Sequence, residues 1–118
     1  MSSSEDTLQT RICAFGDIPE DEGLRVELPG YPPLAVWHVE GEVFVTDDTC
    51  THGQASLSEE GEQDGFIIEC GLHLGEFDMR DGQAVSAPCT IPLRVYAAKV
   101  TDSGDVYAEL PAITVGSD

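Results

Sequence analysis

The chain has 118 residues, 41% of them apolar, and sets 23 acidic side chains against 5 basic ones for a formal net charge of −18. This length accommodates one domain, and so negative a surface repels nucleic acid and anionic membranes while attracting a partner with a basic patch. No run approaches the roughly 18–20 apolar residues of a membrane span, and the polar, acidic start Met1–Thr7 lacks the basic start and apolar core of a signal peptide; a cytoplasmic protein with neither nucleic acid nor membrane as partner is expected.

In chain order, residues 1–9 read as a flexible tail, 10–110 as the folded domain and 111–118 as a second tail. Arg11–Phe15 reads as a strand ending in the turn Gly16-Asp-Ile-Pro19. Leu24–Leu28 alternates as a strand should, and Pro29-Gly-Tyr-Pro-Pro33 stops it. Leu34–Val39 and Glu42–Thr46 flank Glu40-Gly41, a compact hairpin signal. Phe66–Glu69 is a short apolar strand running into Cys70, and Arg94–Val100 and Asp105–Leu110 flank the turn Thr101-Asp-Ser-Gly104. No stretch sustains an apolar i, i+3, i+4, i+7 pattern over ten residues. The expected class is all-β, in short antiparallel strands. The acidic run Ser58–Asp64 reads as a solvated hairpin connection, or alternatively as a docking surface for a basic partner.

Two short clips carry the chemistry. Cys50-Thr-His52 and, after seventeen intervening residues, Cys70-Gly-Leu-His73 each present one thiol and one imidazole. Gly53, Gly71 and Gly75 supply the backbone freedom that such tight loops need. Two cysteines on one iron and two histidines on the other form the ligand set of a Rieske [2Fe–2S] cluster, which assigns Cys50 and Cys70 to one iron and His52 and His73 to the second. Structural zinc also accepts this donor set, although it usually takes paired ligands of one kind rather than clips that mix Cys with His. A Cys/His nucleophile is poorly supported, because no helix-start context accompanies either Cys. Cys13 and Cys89 sit in no ligand-like spacing and read as buried thiols, with a Cys13–Cys89 disulfide as the alternative. His38 reads as a packed strand histidine, and Trp37 and Tyr96 as core residues.

Cys50-Thr-His52-Gly53 followed by Cys70-x-x-His73-x-Gly75-x-Phe77-Asp78 resembles the paired motif of the Rieske ferredoxins, and Gly82–Tyr96, with Pro88 and Pro92, resembles that family's proline-bearing loop and following strand. The likeness runs from about residue 10 to 110. It implies an antiparallel β-sandwich of three sheets with one [2Fe–2S] cluster in a subdomain formed by two loops, ligands Cys50, His52, Cys70 and His73, and Gly53, Gly75, Phe77 and Pro88 surrounding them. It further implies a carrier rather than an enzyme: a ferredoxin of a bacterial aromatic-ring dioxygenase system, shuttling single electrons from a flavin-dependent NAD(P)H reductase to a terminal oxygenase. A small Rieske-like subunit of a multi-component reductase such as nitrite reductase is the alternative.

The departures from the high-potential members of that family also carry information. Their additional pair of cysteines, which form a disulfide, corresponds to Ala55 and Leu72 here, and the Ser and Tyr that hydrogen-bond sulfur correspond to Gly75 and Phe77. Hydrogen bonds to sulfur stabilise the more negative reduced state, so their loss lowers the potential. Redox titration should therefore place the midpoint near the low end of the roughly −150 to +300 mV Rieske range; a clearly positive value would contradict this and reopen a respiratory role.

Overall fold

The computed structural model describes residues 7–51, 55–71, 75–86 and 91–111. Among these, β1 (Thr7–Ala14), β2 (Leu24–Val26), β3 (Leu34–Val39), β4 (Glu42–Asp47), a one-turn helix α1 (Leu57–Glu60), β5 (Glu62–Asp64), β6 (Ile67–Glu69), β7 (Glu76–Asp78), β8 (Ala84–Ser86), β9 (Val95–Tyr96), β10 (Ala98–Val100) and β11 (Asp105–Pro111) follow one another, with a 3-10 turn at Phe15–Asp17. They build three antiparallel sheets ordered β1-β11-β10, β2-β3-β4-β9 and β5-β6-β7-β8. The all-β, three-sheet expectation holds.

The sheet containing β3 is the middle layer. Leu34, Ala35, Val36 and Trp37 are all fully buried, which a strand with one wet face cannot achieve. Because successive side chains point to opposite faces, Leu34 and Val36 join one core with Ile12, Val106, Ala108 and Leu110, while Ala35 and Trp37 join a second with Leu57, Ile68, Phe77 and Met79. β4 divides in the same way, with Val43 and Val45 in the first core and Phe44 against the second. β11 has a single apolar face, Val106, Ala108 and Leu110.

Several sequence expectations shift. Thr7, Leu8 and Gln9, expected in a flexible tail, pair with Pro111, Leu110 and Glu109, so the first sheet takes in residues from both expected tails. Arg94–Val100 is not one strand: β9 pairs with β4 and β10 with β11, and the chain changes sheets at Ala97. The run Ser58–Asp64 is the α1 turn followed by β5 rather than a hairpin connection. β7 and β8, three residues each, had no counterpart in the sequence reading. The hairpin at Glu40-Gly41 is present with both residues at positive φ, 54° and 87°, the dihedral signature of a two-residue type I′ connection.

Trp37 is the largest side chain of the second core, and its indole N–H donates to Thr46 Oγ1 at 3.1 Å, both groups being fully buried. Thr46→Val preserves shape and removes the acceptor. It should cost about 1–3 kcal/mol in urea unfolding of the iron-loaded protein, whereas Thr46→Ser, which keeps the oxygen, should cost less.

Candidate metal centre

Cys50 and Cys70 follow β4 and β6, and both belong to the second core, at 2% and 0% exposure. Each opens a loop closed by one backbone hydrogen bond of the same register. The Cys50 N–H donates to the Ala55 carbonyl at 2.9 Å, and the Cys70 N–H donates to the Gly75 carbonyl at 2.8 Å. The two clips are therefore five-residue excursions with identical clasps. Ala55, Leu57, Ile68, Phe77, Met79 and Leu93 lie in the same apolar cluster as both cysteines. Two buried sulfurs against an apolar wall fit a soft, thiolate-binding iron centre better than a solvated divalent ion. His52, Gly53, Leu72, His73, Pro88 and Cys89 lie outside the described residues. Among the described residues no three His, Cys, Asp or Glu groups converge as a metal site, so the cysteine half of the expected ligand set is the half whose setting is visible.

The supports of the two clips differ. The second springs from the β6–β7 hairpin, whose ladder pairs Glu69 with Glu76 and Ile68 with Phe77. Phe77 is wholly buried in the same core and offers no hydroxyl. The first clip has an isolated bridge, Thr49–Ser56, at its base rather than a ladder among the described residues, and a side chain adds support. Asp48 is 0% exposed. Its Oδ1 accepts the Ser58 N–H at 2.9 Å, and its Oδ2 accepts the Ser56 hydroxyl at 2.5 Å and Arg25 Nη1 at 3.2 Å. Its backbone joins in: the Asp48 N–H donates to the Pro33 carbonyl at 3.0 Å, and the Asp48 carbonyl accepts the Leu57 N–H at 2.7 Å. Ser56 also caps α1, its Oγ accepting the Glu59 N–H at 3.3 Å.

Two further contacts tie the loops together. A Cβ placed on Gly71 would overlap the Glu60 carbonyl, so the second clip lies directly on the C-terminal end of α1. Gly71 is thus glycine for space; it was expected to serve through backbone freedom. The Thr51 hydroxyl donates to the Ile91 carbonyl at 2.8 Å, fastening the first clip to the far end of the proline-bearing loop. That loop is closed behind by the Leu93 N–H donating to the Gly82 carbonyl at 2.6 Å, and Gly82 stands at φ 81° with the Leu93 carbonyl where its Cβ would be.

Elsewhere, Cys13 is a free, buried thiol whose pKa burial pushes up to about 11, with Asp17 adding to the rise, which disfavours the reactive thiolate. The expected disulfide alternative with Cys89 falls on an undescribed residue. His38 is half-buried, its ring 5.1 Å from that of Phe15. Tyr96 is buried with its hydroxyl on Asp47 at 2.6 Å, and burial raises its pKa well above the usual phenol value. No helix among the described residues is long and apolar enough to cross a membrane.

If Gly71 is glycine for contact with Glu60, Gly71→Ala must displace α1 or the clip. Such overpacking should cost about 1–3 kcal/mol and lower the iron bound per purified chain. Gly16→Ala, whose Cβ meets nothing within 4 Å, is the control and should leave the iron content as it is; equal iron in both variants would remove Gly71 from the site.

The Rieske [2Fe-2S] domain family matches residues 9–97. The ferredoxin component of the p-cumate 2,3-dioxygenase system of Pseudomonas putida is 46% identical over 101 residues, 86% of this chain and 85% of that protein. Among solved structures, the Sphingomonas yanoikuyae B1 ferredoxin superposes with a TM-score of 0.79 at 40% identity, covering 90% of this chain and 100% of that one. The ferredoxin in a complex of reduced oxygenase and oxidized ferredoxin of carbazole 1,9a-dioxygenase gives 0.79 at 42%, covering 89% and 96%. The paired cysteine loops, the three-sheet frame and these likenesses agree, and the chain belongs to the Rieske [2Fe–2S] family, among the ferredoxin components of aromatic-ring dioxygenase systems.

Proposed function

We propose that the chain carries one [2Fe–2S] cluster, with Cys50 and Cys70 holding one iron and His52 and His73 the other, and that it shuttles single electrons in the cytoplasm from a flavin-dependent NAD(P)H reductase to a terminal aromatic-ring oxygenase. Residues 7–111 act as one domain in this role. The observation that carries the reading is the pair of identically clasped loops with buried cysteines at their openings. The sequence match to dioxygenase ferredoxins, one of them solved with its oxygenase, supports the destination of the electron.

A [2Fe–2S] cluster in this site supplies reversible one-electron chemistry. The protein does the rest with fixed groups. Cys50 and Cys70, as thiolates, place negative charge at one end, and the apolar wall of Leu57, Phe77 and Leu93 keeps water from it. The imidazoles of His52 and His73 add no charge at the other end, which raises the potential relative to a four-thiolate site. Gly75 and Phe77 bring no hydroxyl to the sulfurs and hold the potential low within the family. A flavin that accepts a hydride holds two electrons, so each hydride requires two visits by the carrier.

The groove between Asp21-Glu22 and Glu59, Glu60 and Glu62, about 480 Å³ in volume, abuts the second clip through Gly71. Arg25, 3.9 Å from Glu59 of this groove, is also engaged by Glu27 and Asp48. This face suits a basic reductase surface.

Two experiments test the reading. Purified protein should be brown and give a Rieske-type paramagnetic signal on reduction. Cys50→Ser, Cys70→Ser, His52→Ala and His73→Ala should each lose that signal, and its retention in any of them would overturn the assignment of that residue. Charge reversal at Glu59, Glu60 and Glu62 together should slow reductase-coupled reduction at least about tenfold at low ionic strength while leaving the bound iron unchanged; an unchanged rate there would remove this face as the reductase site.

A further inference from the structure

The two clips are clasped alike but supported differently, and the difference isolates one buried charge. The second clip stands on a regular ladder. At the base of the first, Asp48 joins three pieces of chain: its carboxylate reaches β2 through Arg25 and the N-terminal end of α1 through Ser56 and Ser58, and its backbone N–H reaches the Pro33 carbonyl. It lies two residues before Cys50 and is shut away from solvent. A buried carboxylate is costly unless compensated, and three donors compensate it here. They are a backbone N–H, a hydroxyl and a guanidinium, the last at 32% side-chain exposure. Ser56 and Ser58 lie just beyond Ala55, the acceptor of the clasp, so the same carboxylate holds both ends of the loop that carries Cys50.

We propose that Asp48, with Arg25 as its counter-charge, is the positioning group of the first clip: it fixes the opening of the loop around Cys50 and sets the net charge felt at the cysteine-held end of the centre. The proposal rests on the ligand assignment given above. Asp48 is buried, where salt screens little, and Arg25 carries the opposite charge at 32% side-chain exposure, so the two act on the centre with opposite signs. Asp48 opposes the arrival of an electron and Arg25 favours it. A purely structural staple would give no such pair of signs.

The test uses the iron-loaded protein and reads midpoint potential, the paramagnetic spectrum of the reduced form and the rate of iron release to a chelator. Asp48→Asn keeps the shape and the acceptor for the Ser58 N–H, but its amide cannot accept from Ser56 or Arg25. Iron release should accelerate about tenfold or more, the cost usual for groups that orient metal ligands, and the midpoint should rise. Arg25→Met, at the surface, should lower the midpoint. The double variant should return towards the wild type in potential but not in release rate. Ser56→Ala removes one donor and should accelerate release with little change in potential.

Midpoints that move in the same direction in Asp48→Asn and Arg25→Met, or that do not move, would overturn the proposal. If Asp48→Asn yields no folded protein, an unchanged midpoint in Arg25→Met together with unchanged release in Ser56→Ala would overturn it. Wild-type protein without the cluster, or Cys50→Ser that keeps it, would instead defeat the ligand assignment. The two failures are thus distinct.

Discussion

A hydrogen bond from the amide of a cysteine to a carbonyl five residues on, made twice, is the constraint from which the rest of the site follows. Each clasp fixes the width of a loop that opens on a buried cysteine. The stiffness comes from below. Under Cys70 it is the β6–β7 ladder, with Phe77 packed in the core. Under Cys50 it is the Asp48 network with Leu57 seated in the same core. Because Gly71 rests on the Glu60 carbonyl, the C-terminal end of α1 carries the second clip while its N-terminal end, capped by Ser56, belongs to the first. The loops are thus mechanically one object, as a cofactor bridging them requires. The Thr51–Ile91 bond brings the third loop into the same unit.

The layering explains how a small domain affords a buried site at all. A chain of this length buries a modest fraction of its surface, yet β3 has no wet face over Leu34–Trp37. It gives one face to a core closed by β1 and β11 and the other to a core closed by the third sheet and the clips. The cysteines are therefore part of the second core's apolar wall, and occupation of the site and packing of that core are coupled. Metal binding in such a site contributes to folding.

The sequence carried the parts of this design that repeat or stand out chemically. Val106, Ala108 and Leu110 alternate with polar neighbours and mark β11; Glu40-Gly41 marks a tight hairpin; Cys followed closely by His, twice, marks the clips. It carried little of what depends on contact between distant segments. β7 and β8 are three residues each, too short for a period of two to register, and one turn of helix at Leu57–Glu60 shows no period at all. The sheet change at Ala97 leaves no local sign, since both halves of Arg94–Val100 are good strand sequence. Asp48 was invisible for a different reason: one aspartate among 23 acidic residues carries no signal until burial singles it out. Gly71 was legible as a glycine but not for its reason, which is the neighbour it touches.

The charge distribution bears on what kind of complex this surface can make. All five basic residues lie in the described part, and four are engaged within the chain. Arg11 pairs with Asp105, Arg25 with Glu27 and Asp48, Arg80 with Asp78, and Arg94 lies over the Tyr96 ring. Most of the acidic excess is left facing outward. Long-range attraction of that kind speeds encounter more than it deepens binding, and it is screened within about 8–10 Å at physiological salt. Apolar surface that would hold a partner in place is scarce: among the described residues the large exposed apolar side chains are Leu8, Val85, Ile91 and Val100, and two of them, Val85 and Ile91, belong to the proline-bearing stretch. A carrier that must leave one partner to reach the next needs this balance, with fast attraction over the acidic face and a small apolar contact beside the cluster end. Interfaces of redox encounters fall below about 1,200 Å² for the same reason. Tighter docking would raise occupancy at one partner and slow delivery to the other, so a surface rich in charge and poor in grease is what transport of single electrons selects.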